Sequence, residues 1–174
     1  MLQPIDLTPD CLNCAALCCV VFPFDKSESF GIDKAAGEIC ANLSDKCECR
    51  IFEDRQQLGF RGCVAYNCYG AGQRVTQEIF SGRSWQDDAK LTHRMGDALS
   101  VLRRIHEQLL LLNSAKQLAL TEPERHRLEE LQLQLSPTVD WTEASLADFA
   151  IDDVISNVGQ FLQGLKHHLP ARVR

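Results

Sequence analysis

Cys11-Leu-Asn-Cys14-Ala-Ala-Leu-Cys18-Cys19 is the stretch on which the reading of this 174-residue chain turns. It holds four of nine cysteines, and the others, Cys40, Cys47, Cys49, Cys63 and Cys68, all precede residue 69. The opening residues, Met1-Leu-Gln-Pro-Ile-Asp-Leu-Thr-Pro-Asp10, lack both the basic n-region and the apolar h-region of a secretory leader. This predicts a cytoplasmic protein, in which thiols stay reduced and a dense cysteine set serves as metal or iron–sulfur ligands rather than as a disulfide scaffold.

Composition narrows the function classes. No stretch reaches the roughly 18 continuous apolar residues of a membrane span, since Leu109 to Leu112 is soon interrupted by Asn113, Ser114 and Lys116. A net charge of -6 without a basic patch excludes nucleic-acid binding through bulk electrostatics. The composition changes near residue 75, with all cysteines before it and most leucines after it. Two modules are expected: a cysteine-rich metal-binding module over 1–75 and a helical bundle over 76–174. A module of about 75 residues buries a limited core, and metals commonly supplement such folds.

Within the first module, Thr8-Pro9 has the form of an N-cap followed by proline at the first helical position, predicting a short helix over 10–19. At about 100° per residue, Cys11, Cys14 and Cys18 then share one stripe, with Cys19 turned away. Val20-Val21-Phe22-Pro23-Phe24 is expected to be extended, its aromatics covering the site. Lys34 is either an ordinary exposed loop lysine or a cation placed against the thiolates, where it would offset their repulsion. Arg50 to Leu58 has a helix-like pattern that Gly59 would stop.

The ordered series carries a resemblance. Cys11-x2-Cys14-x3-Cys18-Cys19, then Cys40-x2-Leu43, Cys49-x-Ile51, Gly59-Phe60-x-Gly62-Cys63, Tyr66-x-Cys68 and Gly70-Ala-Gly72-Gln73, resembles a cysteine-rich module at the start of some bacterial pentapeptide-repeat proteins. More distantly it is similar to the YkgJ-type family, described as a zinc- or iron-chelating domain with a CxxCxxCC-like motif. A flagellin lysine methylase family carries a related pattern that resembles an iron–sulfur site. The resemblance covers residues 8–78 and implies Cys11, Cys14, Cys18, Cys19, Cys40, Cys49, Cys63 and Cys68 as ligands, two sets of four, with Cys47 as an extra. Phe52 departs from a frequent histidine or tyrosine, Asn67 from a frequent aspartate, and no pentapeptide repeat follows.

Ligand chemistry leaves the metal open between Zn²⁺, slightly preferred, and an iron–sulfur cluster, because both accept four thiolates. The spacing differs from the bacterial ferredoxin run, and no cysteine precedes proline. His93, His106, His126, His167 and His168 lie outside the cysteine module and read as surface or helix-end residues. Gly70-Ala-Gly72 lacks the remaining elements of either phosphate-binding fingerprint and reads as a turn. Asn42-Leu-Ser44 matches a glycosylation sequon that a cytoplasmic chain would not use.

The second module reads as three amphipathic helices in an antiparallel bundle, making the whole chain mainly α. Ser84-x-x-Asp87 is expected to cap the first, whose stripe is Ala98, Leu102, Ile105, Leu109 and Leu112. Thr121-x-x-Glu124 is a capping box for the second, bearing Leu128, Leu131 and Leu135 and ending at Ser136-Pro137. Thr142 is expected to cap the third, with Ile151, Ile155, Val158, Leu162 and Leu165 as its stripe and Pro170 beyond its end. The leucines serve a core, or a protein partner or homodimer interface. Asp87-Asp88 and Asp152-Asp153 read as solvated pairs, and Arg103 with Glu107 as a surface pair. Three functional classes stay open: a metal-binding protein, an iron–sulfur enzyme or electron-transfer subunit, and a thiol–disulfide protein.

Overall fold

The computed structural model describes residues 5–168, and it is mainly α-helical. The helices are α1 (Leu17–Val21), α2 (Arg61–Ala65), α3 (Ala71–Arg74), α4 (Leu91–Ala115), α5 (Glu122–Leu135), α6 (Glu143–Ala147) and α7 (Ile151–Gly164). Among the described residues there is no strand beyond the isolated bridges Phe24–Lys34 and Leu43–Cys49, and no helix is long and apolar enough to cross a membrane.

The long helix α4 is the spine. Its expected stripe is buried throughout, and Leu91, Met95 and Leu99 extend it towards the cysteines. Each fully buried aliphatic side chain of this kind contributes about 1.5–3 kcal/mol. Leu131 and Leu135 of α5, Leu146 of α6, and Ile151, Val154 and Val158 of α7 pack into the same core. Ala15, Leu17, Ala71 and Val75 belong to it as well, so the core runs continuously through the composition change near residue 75. Gly96 permits the closest approach of α1, because a Cβ there would stand 3.0 Å from Val21 Cγ1.

Local signals hold where the chain answers to itself. The Thr121 capping box forms, with the Thr121 amide donating to Glu124 Oε2 at 2.7 Å, and Ser136 ends α5. Other starts are corrected. Ser84 and Asp87 close a turn of their own, Ser84 N–H donating to Asp87 Oδ2 at 2.8 Å, and α4 begins only at Leu91. Thr142 caps the single turn α6 rather than the third long helix, which begins afresh at Ile151. In α7 Ile151, Val158 and the following Leu165 are buried and Ile155 and Leu162 half-buried; Pro170 lies outside the described residues. Asp152 is solvated as expected, its side chain 83% exposed, and it also pairs with Arg104 of α4. The Arg103–Glu107 pair forms at 3.6 Å.

The first module departs further from expectation. Asp10, not Thr8, caps a 3-10 turn at Cys11–Asn13, and Ala16 in the left-handed region (φ 50°) separates it from α1. Val20 and Val21 are helical, and the extended backbone starts at Phe22. Residues 50–59 form a succession of turns, not a helix, ending at Gly59 with φ +84°.

His106 is the sharpest correction among the histidines. It lies on α4 at 0% exposure, its Nδ1 2.6 Å from the Tyr69 carbonyl and its Nε2 3.2 Å from an Arg74 guanidinium nitrogen. That pattern fits a neutral ring that donates from Nδ1 and accepts at Nε2. Burial lowers its pKa to about 4. Above about pH 6.5 the ring is neutral folded or unfolded, whereas below it the unfolded chain takes up a proton that the folded state refuses. Stability should therefore fall by about 3 kcal/mol as the pH drops from 6.5 to about 4. Denaturant titrations should show that component in the wild type and lose it in His106→Gln; identical pH slopes would refute the assignment.

Candidate metal centre

The backbone of the first cysteine loop is held by side chains distant in sequence. Asp10 N–H donates to Gln73 Oε1 at 3.1 Å, and Ala15 N–H donates to Thr76 Oγ1 at 3.0 Å. The Ala15 carbonyl accepts Trp85 Nε1–H at 2.7 Å, and the Asn13 carbonyl accepts Gln77 Nε2–H at 3.0 Å. These bonds replace the helical ladder expected for residues 10–19. They come from α3, from the π-helical turn Val75–Ile79 that continues it, and from the turn before α4.

All nine cysteines line one cavity of about 760 Å³. The expected Cys11–Cys14–Cys18 stripe is therefore replaced by convergence through turns, and Cys19 joins the others instead of pointing elsewhere. Phe22 and Phe24 line the wall, as the aromatic segment suggested, together with Phe30, Ile51, Phe60 and Tyr66. Phe24 stacks on Phe30 with centroids 4.3 Å apart. No disulfide is formed among the cysteines.

The thiols fall into two neighbourhoods. Gly72 marks the first: a Cβ there would lie 2.7 Å from Cys14 Sγ and 3.9 Å from Cys68 Sγ, so only glycine leaves room for both sulfurs. Burial pushes the Cys14 thiol up to about 12, with Cys18, Cys68 and Cys11 adding to it. Burial and then Cys18 and Cys68 also raise Cys11. In the second neighbourhood burial pushes Cys63 up to about 11, with Cys18, Cys40 and Cys49 adding. The Cys40 amide donates to the Cys19 carbonyl at 3.0 Å, which places these two cysteines together. Cys18 is shared by both groups; its Cys19 neighbour raises it well above the usual thiol range. Cys47, the expected extra, donates its thiol to Gln86 Oε1 at 3.2 Å from a left-handed backbone (φ 60°).

Lys34 is buried at 4% exposure, which overturns its reading as an exposed loop lysine. Its ammonium donates to the carbonyls of Val20, Phe22 and Ala35 at 3.0, 2.8 and 3.2 Å. Burial lowers its pKa, while Cys40, Glu38, Cys19 and Cys18 favour the charge. Two further cations were missed in the sequence. Arg55 sits on the Phe52 ring at 3.7 Å, and Arg103 of α4 lies 5.5 and 5.6 Å from the Tyr66 and Tyr69 ring centres while donating to the Asn67 carbonyl. Both line the cavity. A signal for Arg103 existed, since it stands four residues after Leu99 on one helical face.

The donor set suits a thiophilic metal. Tyr66 supports the fit: its buried hydroxyl has no hydrogen-bond partner and belongs to the cavity wall, where it can donate to sulfur. Among the described residues, no three cysteine sulfurs lie mutually within 4.8 Å. Tetrahedral zinc with Zn–S bonds of about 2.3 Å holds its thiolates about 3.8 Å apart.

No family profile and no solved structure matches the chain. The chain is similar to an uncharacterised protein of Bacillus subtilis (strain 168), YybG, at 31% identity over 169 residues. The match covers 97% of this chain and 61% of that relative, so the chain spans about three fifths of the bacterial protein's length.

Two glycines separate a site effect from a helix effect. Gly72→Ala should lower stability by about 1–3 kcal/mol, because its Cβ would displace Cys14 Sγ. Gly159→Ala, with nothing within 4 Å inside α7, should raise stability by about 0.5–1 kcal/mol. Thermal melts read both, and a Gly72→Ala protein as stable as the wild type would refute the cradle.

Proposed function

We propose that the chain is a metal-binding protein whose cysteine cavity holds one or two thiolate-ligated centres, zinc or iron–sulfur. The observation that carries this reading is the convergence of all nine thiols, without a disulfide, on one largely apolar cavity. The raised thiols of Cys11, Cys14, Cys18 and Cys63 need positive charge to ionise, and one buried lysine with two rim arginines is too little to supply it; a metal centre does. The ligand sets follow the neighbourhoods: Cys11, Cys14, Cys18 and Cys68 for one centre, and Cys19, Cys40, Cys49 and Cys63 for the other. The resemblance of the ordered cysteine series to the zinc- or iron-chelating modules points to the same eight.

Ligand chemistry leaves the metal open, because zinc and an iron–sulfur cluster both accept four thiolates. Either would draw its ligands together, since among the described residues no three cysteine sulfurs lie mutually within 4.8 Å. A cluster would supply electron transfer, zinc a structural tie. Thiol–disulfide chemistry is the weakest of the three classes, because it needs a lowered thiol pKa, whereas Cys11, Cys14, Cys18 and Cys63 are all raised. A cytoplasmic location follows from the reduced thiols this reading requires.

Protein purified without oxygen should contain near-stoichiometric metal, with iron, acid-labile sulfide and absorption near 400 nm for a cluster, or colourless zinc for the alternative. Finding neither metal would sink the proposal. Cys14→Ser should lose a centre, whereas Cys47→Ser should retain the full metal content; the reverse would overturn the ligand sets.

A further inference from the structure

The end of the helical bundle carries three groups that the thiolate reading does not use. Glu124 stands in the first turn of α5, and His167 and His168 stand in the 3-10 turn Leu165–His168 that continues α7. His168 Nε2 lies 3.1 and 3.0 Å from Glu124 Oε1 and Oε2, and His167 Nε2 lies 3.5 Å from Oε1. One ligand atom from each of the three residues falls within 4.8 Å of the other two.

Three details distinguish this cluster from an ordinary surface ion pair. His167 Nδ1 lies 2.9 Å from the Gly164 carbonyl, so the neutral ring donates there and keeps the lone pair at Nε2, the orientation that outer hydrogen bonds impose on metal-binding imidazoles. Glu124 divides its oxygens: Oε2 accepts the Thr121 amide and hydroxyl, both at 2.7 Å, whereas Oε1 takes no part in the cap. The side chains of His168 and Glu124 are 14% and 20% exposed, and that of His167 61%. An ion held there would be desolvated on one side and open to water on the other.

We propose that Glu124 Oε1, His167 Nε2 and His168 Nε2 form a second metal site, separate from the cysteines, for a borderline divalent cation of the Zn²⁺ type. Two imidazoles and one carboxylate supply three ligands, and water completes the tetrahedron. Binding displaces the proton between His168 and the carboxylate, which leaves as a solvated proton or moves to His168 Nδ1. The ion fastens the end of the α7 segment to the start of α5, across a contact otherwise made by Leu165 with Leu128 and Ala115.

The test is calorimetric titration of the reduced, oxygen-free full chain with Zn²⁺, comparing variants prepared with equal content of tightly held metal. The wild type should take up one equivalent more than His167→Gln, whose exposed position leaves folding intact, and more than the double variant with His168→Gln. Glu124→Gln should weaken that equivalent at least about tenfold. Thr121→Ala, which loses the side-chain hydroxyl from the cap but keeps all three ligands, should retain it. Equal uptake by the wild type and both histidine variants would overturn the site, as would equal weakening by Thr121→Ala and Glu124→Gln. Because the comparison is a difference at fixed thiolate content, it stands or falls independently of the cysteine centre.

Discussion

The contact of α1 and α3 with α4 is the constraint on which the structure depends. Leu17, Ala71 and Val75 enter the same core as Met95 and Leu99, and Gly96 lets Val21 approach closely. This contact puts the side chains of Gln73, Thr76, Gln77 and Trp85 within reach of the backbone between Asp10 and Ala15. A segment with almost no regular hydrogen bonding of its own is thereby satisfied from outside. The cysteine cavity is a consequence of that arrangement, because Cys14 and Cys68 are seated against Gly72 on α3.

Electrostatics gives the cavity its chemical character. Burial and mutual repulsion favour the neutral thiols, while Lys34 behind the wall and Arg55 and Arg103 at its edge offer limited compensation. Such a site is poorly suited to a free nucleophilic thiolate and well suited to a cation that brings its own charge. The remaining polar details agree with this: the Tyr66 hydroxyl has no protein partner, and the Lys34 ammonium is fully engaged by three carbonyls. Outside the core, Leu110, Leu111 and Leu133 remain exposed, while the expected stripes serve the protein's own interior.

What the sequence made legible was local. The apolar stripe of α4, the capping box at Thr121 and the stop at Ser136 each involve residues a few positions apart, and all formed. The helix expected over 10–19 did not, because its backbone bonds go to residues some sixty positions away and Ala16 adopts a left-handed conformation. The burial of Lys34 and His106 is not legible in the sequence for the same reason, as the carbonyls and guanidinium that make it tolerable come from other segments. His106 still left a trace: with Leu99, Leu102 and Leu109 it falls on one apolar stripe. The cysteine positions point to a candidate site, but their grouping about Gly72 and Lys34 requires the tertiary arrangement.

On the proposed reading, thiolates gathered against α3 and α4 hold a metal. X-ray absorption at the edge of the bound metal, recorded on oxygen-free protein in the His167→Gln background, tests it most directly. Thiolate ligation predicts a first shell made of sulfur at about 2.3 Å, with an added metal–metal shell if the centre is a cluster. A first shell of nitrogen or oxygen at about 2.0–2.1 Å would contradict it.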